Sequence, residues 1–106
     1  MLPFYEKETK AFDVQVMVDH ILQDISDDAV TCIFKSAKSD SDAQAVITAT
    51  ADVSKEGESG TAKFVIPKED TAVTPGTYYW EIRWTHGDSD NIIASSTVKI
   101  KERVYD

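Results

Sequence analysis

Apolar and polar residues alternate with a period of two along most of this chain, which is the pattern of strands that bury one face. Residues 77–85 show it most clearly, because four large apolar side chains fall on one face: Tyr78, Trp80, Ile82 and Trp84. Alternation and β-branched residues predict further strands at 11–19, 29–36, 45–50, 61–66 and 92–101. Six short strands without a long helical period predict an all-β protein, built as a sandwich or a barrel.

The alternation also assigns an inward face to each strand. For the first strand the inward residues are Phe12, Val14, Val16 and Val18, and for the last they are Ile92, Ala94, Val98 and Ile100. In the segment 29–36 one face carries Val30, Cys32 and Phe34, and the opposite face carries Thr31, Ile33 and Lys35. The largest of the inward side chains are the expected core anchors: Phe34, Phe64, Trp80 and Trp84.

The segments between the predicted strands have the composition of turns. Residues 86–91 are polar and contain a glycine, which predicts a hairpin loop. Pro67 and the acidic residues after it suit a first helical turn, so one short helical turn is expected at 67–73. Thr74-Pro75-Gly76 fits a type II turn. Residues 36–42 and 54–60 are rich in small and charged residues, and we expect them to be solvated loops.

A chain of 106 residues is of ordinary size for one domain. No internal repeat or linker divides it, so the sequence predicts a single domain over residues 1–106. Charged residues near both ends predict flexible tails at about 1–9 and 103–106.

The chain is acidic, with 19 Asp and Glu residues against 11 Lys and Arg and a formal charge of −8 at pH 7. Nucleic acids and anionic membranes would repel such a surface, so we expect neither as a partner. The first residues lack the apolar stretch of a signal peptide, and no run approaches the roughly 20 apolar residues of a membrane span. These features predict a protein made in the cytoplasm and not secreted by a signal peptide.

Side chains suited to catalysis or metal binding occur without a recognisable spacing. Cys32 is the single cysteine, and its apolar neighbours predict a small buried side chain that forms no intrachain disulfide. His20 and His86 stand in no zinc-ligand pattern, and the loop aspartates lack the glycine and glutamate of a calcium loop. We therefore expect no catalytic residues, no metal and no cofactor, and a protein that is not an enzyme.

Aromatic residues outside the predicted core are the candidate contacts. Tyr79 falls on the outer face of the strand 77–85, beside Glu81 and Arg83, where it could anchor a protein interface or stack against a sugar ring. Three further aromatic residues lie near the chain ends, in charged segments that could dock on a neighbouring subunit. The predicted partner-binding residues are thus Tyr79, Phe4, Tyr5 and Tyr105.

The order of these features resembles a domain of tailed bacteriophages and prophages. The strand Asp-Ala-Gln-Ala-Val-Ile-Thr at 42–48 and the segment Pro-Gly-Thr-Tyr-Tyr-Trp-Glu-Ile at 75–82 carry the likeness. Over roughly residues 10–102 the chain is similar to the immunoglobulin-like domain at the N-terminus of phage baseplate upper proteins. That implies an immunoglobulin-like β-sandwich of about six to seven antiparallel strands. The antibody-type disulfide cannot form here, so the likeness concerns architecture and not immune recognition.

The resemblance implies a structural or assembly role in a phage or prophage particle, through tail- or baseplate-type protein contacts. Such a protein would bind other phage structural proteins or itself, and a homo-oligomer is expected. It would be found in the virion or, during assembly, in the host bacterial cytoplasm. The alternative function is a carbohydrate-binding β-sandwich module that presents Tyr79.

Overall fold

The structure is a computed structural model, and it describes residues 4–37, 39–41 and 44–102. The described residues are mostly β-structure, as predicted. Within these described ranges nine strands follow one another: β1 (Phe4–Tyr5), β2 (Lys10–Gln15), β3 (Met17–Val18), β4 (Ile21–Leu22), β5 (Ala29–Lys35), β6 (Ile47–Thr50), β7 (Thr61–Ile66), β8 (Gly76–His86) and β9 (Ser89–Lys101). They form a five-stranded sheet in the order β1-β9-β8-β5-β6, a pair β2-β7 and a separate hairpin β3-β4.

The core lies between the five-stranded sheet and the β2-β7 pair, because inward side chains of both belong to one buried cluster. Phe34 from β5 and Phe64 from β7 are almost fully buried, and the ring of Phe12 stacks on that of Phe64 at 5.0 Å. These two anchors were predicted. Trp80 and Trp84 only pack against the cluster and remain half-buried.

Two chain segments pass from one sheet to the other and join them around the core. At the N-terminus, β1 pairs in parallel with β9, and β2 then pairs antiparallel with β7. After β6, Asp52 forms an isolated antiparallel bridge to Lys63 of β7, with backbone hydrogen bonds of 2.8 and 3.0 Å in the two directions. The bridge of Asp52 covers part of the edge of β7, where unpaired backbone groups would otherwise be exposed.

Residues 1–9 were expected to form a flexible tail, and the structure corrects this for the described part. Phe4 lies in the core with 1% of its surface exposed, and its ring centroid is 5.4 Å from that of Phe34. The backbone beyond the strand is held as well, since the Glu6 N–H donates to the Lys101 carbonyl. The predicted tail 103–106 lies outside the described residues.

Two turns differ from their predicted form. At 67–73 the N–H groups of Asp70 and Thr71 donate to the Pro67 carbonyl, which gives one hydrogen-bonded turn that does not extend into a helix. The buried Thr71 hydroxyl donates to the Glu8 or Lys68 carbonyl and fixes this turn. Gly76 has φ of 158°, far from the roughly +80° of a type II turn, and it already belongs to β8.

Two loops also differ from the sequence prediction. The short 3-10 helix that the described residues contain lies at Gly57–Ser59, in a segment predicted to be a solvated loop. The predicted hairpin at 86–91 is confirmed, but its turn is only two residues long. His86 pairs with Ser89, and the turn residue Gly87 has φ of 58°.

A register shift in the long hairpin β8–β9 changes the predicted faces of the last strand. Ile82 pairs with Ala94, but the next residue, Arg83, pairs with Ile92, so Ile93 is the extra residue of a β-bulge. As a result Ile93 packs against the core and Ile92 is exposed. The prediction that Ile92 faces inward is therefore wrong, because strict alternation does not survive a bulge.

Candidate interaction surface

β3 and β4 form a short hairpin over residues 17–22. Its strands pair with each other and belong to neither of the other two sheets. Met17 pairs with Leu22 and Val18 pairs with Ile21, so Asp19 and His20 form a two-residue turn. Both turn residues have positive φ, 51° and 65°, as a type I′ turn requires. Asp and His tolerate this left-handed conformation better than most residues. The local sequence thus supports a tight turn at this position.

The short hairpin exposes every apolar side chain that its strands carry. The exposed fractions are 47% for Met17, 45% for Val18, 66% for Ile21 and 44% for Leu22. Directly paired residues share a face and neighbours along a strand alternate. Val18 and Ile21 therefore lie on one face, and Met17 and Leu22 lie on the other. The short hairpin is an apolar ribbon on both of its faces.

Its base is fixed to the body of the protein. Val16 is fully buried, its N–H donates to the Gly60 carbonyl at 2.8 Å, and its own carbonyl accepts from the Gln23 N–H at 3.0 Å. Gly60 has φ of 85°, and a Cβ there would lie 3.2 Å from the Leu22 side chain and 3.0 Å from the Gln23 carbonyl. The base thus needs glycine both for its conformation and for the close approach of Leu22.

The surroundings of the short hairpin are acidic. Residues 11–34 contain five aspartates and neither lysine nor arginine. Three of these aspartates are exposed in or just after the short hairpin: Asp19, Asp24 and Asp27. The Ser26 hydroxyl and N–H donate to the Asp24 carboxylate at 2.6 and 3.0 Å, and these hydrogen bonds lower the pKa of Asp24.

A clamp ties the loop that follows the short hairpin to the end of the long hairpin. The Asp28 carboxylate, with only 6% of its side chain exposed, accepts a hydrogen bond from Trp84 Nε1 at 2.8 Å. Its other oxygen lies 2.8 Å from His86 Nδ1. The indole and imidazole rings are also close, with centroids 5.9 Å apart. Asp28 therefore fixes the acidic loop against β8.

The outer face of the five-stranded sheet holds a charged network that the alternation pattern does not predict. Glu81 Oε1 lies 3.4 Å from Lys35 Nζ and 3.0 Å from Arg83 Nη2. The side chains of Glu81 and Lys35 are each only 5% exposed. Ile33, on the same face, is buried too. Hydrogen bonding to Arg83, followed by Coulombic attraction to it and the contact with Lys35, lowers the pKa of Glu81 against the opposing effect of burial.

The predicted contact residues lie in different environments. Tyr79 is half-buried on the outer sheet face, where it lines an open depression of about 460 Å³. Tyr5 is 37% exposed, with the Lys101 ammonium 5.9 Å from its ring centroid. Phe4 is a core residue, which corrects its prediction as a contact on a tail. Tyr105 lies outside the described residues. The structure does not bring these residues together into one site.

The side chains suited to catalysis or metal binding are likewise not grouped in the described residues. Cys32 is buried and unpaired with another cysteine, and burial raises the pKa of its thiol to about 12, as fits the predicted small core residue. Within the ranges that the structure describes, no three His, Cys, Asp or Glu side chains form a group able to hold a metal ion. The described residues also include no helix with the length and apolar character needed to cross a bilayer.

Sequence reasoning missed the short hairpin because it extended the first strand through residues 11–19. A local signal was present: two apolar pairs, Met17-Val18 and Ile21-Leu22, flank two polar residues that tolerate positive φ. That spacing is typical of a two-residue hairpin even without Asn-Gly or Asp-Gly.

No protein-family model matches this chain, and the curated proteins contain no significant match to it.

Proposed function

We propose that this chain is a non-enzymatic protein–protein interaction module, and that the short hairpin is part of its contact surface. One observation carries the proposal: four large apolar side chains on two short paired strands are 44–66% exposed. Adjacent exposed apolar residues of this kind mark interaction sites on soluble proteins.

The proposal includes an immunoglobulin-like sandwich fold, and two features support it. The order β5-β8-β9 in one sheet and the pair β2-β7 in the other correspond to the C-F-G and B-E strands of that architecture. Tyr78, near the start of β8, donates its hydroxyl to the carbonyl of Thr74, four residues upstream. This is the arrangement of the tyrosine corner at the start of strand F.

The biological class that we propose is a structural or assembly protein of a phage or prophage particle, of tail or baseplate type. Its support is the resemblance carried by residues 42–48 and 75–82, together with a surface suited to protein contacts. Other phage structural proteins, or further copies of this chain, would be the partners, in the virion or in the host bacterial cytoplasm during assembly. The charge of −8 disfavours nucleic acid and anionic membranes as partners.

A carbohydrate-binding module is the second candidate, and the depression beside Tyr79 favours it. Two tyrosines, four serine and threonine side chains and one alanine line this depression: Tyr78, Tyr79, Ser36, Thr77, Ser96, Thr97 and Ala37. Rings stack on sugars and hydroxyls hydrogen-bond to them, and a volume of about 460 Å³ is within the range of ligand sites. Glycan-array binding that Tyr79→Ala abolishes would support this function, and silence across a broad array would exclude it.

The test of the leading proposal is affinity purification of the tagged full-length chain from the cells that produce it. Mass spectrometry then identifies the co-purifying proteins, and size-exclusion chromatography with light scattering gives the mass of the complex. We expect a virion structural protein at fixed stoichiometry, or a homo-oligomer. A strictly monomeric chain that co-purifies with no virion component would contradict the proposal.

A further inference from the structure

The apolar surface of the short hairpin is divided between its two faces, and this limits the shape of any partner. Val18 and Ile21 face one way, while Met17 and Leu22 face the other. A flat partner surface would cover one pair and leave the other in water. Only a cleft that receives the ribbon edgewise or tip-first removes both pairs from water. The two-faced exposure therefore favours insertion over side-by-side packing.

The short hairpin is also preorganised for insertion. Its turn residues, Asp19 and His20, already have the dihedral angles of a tight turn, and its base is held by the hydrogen bonds of Val16. A segment that is ordered before binding loses little conformational entropy on binding. The short hairpin, with its fixed base and two-residue tip, therefore has a shape and a conformation suited to entering a cleft.

Charge selects between a second copy of this chain and a different protein. Asp19 stands at the tip of the ribbon, and the exposed Asp24 and Asp27 follow it, while the whole stretch 11–34 has no lysine or arginine. A second copy would bring the same acidic segment and a further charge of −8. Like charges brought together at an interface disfavour binding, whereas a basic rim around the cleft would favour it.

Building on the proposed function, we infer that the short hairpin inserts into an apolar cleft of a different protein, and that lysine or arginine side chains line the rim of this cleft. Val18, Ile21, Met17 and Leu22 supply the apolar contact. Asp19 and Asp24 meet the basic rim and set the register of the inserted ribbon.

The test places the photoreactive amino acid p-benzoylphenylalanine at position 21 of the full-length chain, in the cells that produce it. The matched control carries the same residue at position 65, because Ile21 and Val65 are exposed to similar extents, 66% and 61%, and Val65 lies on the outer face of β7. We expect position 21 to cross-link to another protein, at a peptide in which apolar residues adjoin lysine or arginine. Position 65 should not give this product.

The cross-linked protein is then purified and titrated by calorimetry with the wild-type chain and with variants. Ile21→Asp should weaken binding by at least about 50-fold, as for a central apolar contact. Val65→Asp should change it by less than about 2-fold. Asp19→Lys should weaken binding by about 3- to 10-fold at low salt and flatten its salt dependence, since a rim charge acts through a screened field. Equal thermal unfolding of all variants controls for folding.

Each other outcome overturns a defined part of the inference. A cross-link from position 21 to a second copy of this chain would refute the different-protein cleft while leaving the interaction module intact. A stable protein complex with no cross-link from position 21, or with no effect of Ile21→Asp, would refute the role of the short hairpin alone. A cross-link to lipid, without any protein product, would refute both the inference and the proposed function.

Discussion

In the part of the chain that the structure describes, two antiparallel hairpins have two-residue turns, and they differ in how much of their apolar surface is buried. The long hairpin β8–β9 buries one face against the core through Tyr78 and Ile82. The strands of the short hairpin β3–β4 contain only apolar residues, yet their four side chains remain 44–66% exposed. Apolar composition alone therefore does not decide where a hairpin lies. The long hairpin is a structural element of the fold, and the short hairpin is a surface that the fold presents.

The first and largest test of this difference removes an inward side chain of the long hairpin. Ile82 is 3% exposed, so Ile82→Ala should lower the free energy of unfolding by about 2–5 kcal/mol through lost transfer energy and a cavity. Ile92→Ala is the matched control on the same hairpin, because the bulge leaves Ile92 61% exposed, and it should cost less than about 0.5 kcal/mol. Urea unfolding followed by circular dichroism measures both. Similar losses in the two variants would refute the assigned bulge.

The second test removes the side chain of Asp28, which connects the loop after the short hairpin to the end of the long hairpin. Asp28→Ala removes the carboxylate that accepts from Trp84 Nε1 and contacts His86, and it should cost about 1–3 kcal/mol because a half-buried donor loses its partner. The control is Asp27→Ala, whose carboxylate is exposed and should contribute little. The same urea experiment compares the two. If the neighbouring aspartates behave alike, the clamp does not stabilise the loop.

The third test concerns the outer face of the long hairpin and its dependence on pH. The pKa of Glu81 lies below its ordinary value of 4.5 in the folded chain, chiefly because Arg83 donates a hydrogen bond to it. The ionised Glu81 carboxylate therefore contributes its full stabilisation above about pH 4.5, and this stabilisation is lost as the pH falls through the lowered pKa of the folded state.

Glu81→Gln should destabilise the protein by about 1–2 kcal/mol near pH 7, since the ion pairs of the Glu81 carboxylate with the buried Lys35 and with Arg83 are lost. The difference from the wild type should shrink as the pH falls below about 4.5 and through the lowered folded pKa, because the wild-type carboxyl then becomes protonated as well. Thermal unfolding of both proteins across this range measures the effect. A difference that stays constant with pH would show that the charge of Glu81 does not matter.

The alternation of apolar and polar residues was sufficient to predict the strands in which this pattern agrees with the pairing in the folded protein. The segments 29–36, 61–66 and 77–85 match β5, β7 and β8 to within a few residues. The predicted buried Cys32 and the hairpin at 86–91 follow from the same local rules. Lys35 and Glu81 are exceptions within these segments, because both are charged and yet buried on the outer face.

Prediction failed where distant contacts override the local pattern. The alternation of Phe12, Val14, Val16 and Val18 continues without interruption, yet β2 ends at Gln15 and the backbone of Val16 is hydrogen-bonded to Gly60. The bulge at Ile93 and the burial of Lys35 beside Glu81 depend in the same way on pairing between strands. The short hairpin was missed with them, because it begins just after the first strand ends.

The last and smallest expected effect returns to the short hairpin. Ile21→Ser replaces a side chain that is 66% exposed, so the free energy of unfolding should change by less than about 0.5 kcal/mol, in contrast to Ile82→Ala. Urea unfolding of the purified chain measures this change. A loss near that of Ile82→Ala would mean that Ile21 is buried by the chain itself, and the short hairpin would then be part of the core. A neutral result means that an apolar side chain at this position is not required for folding.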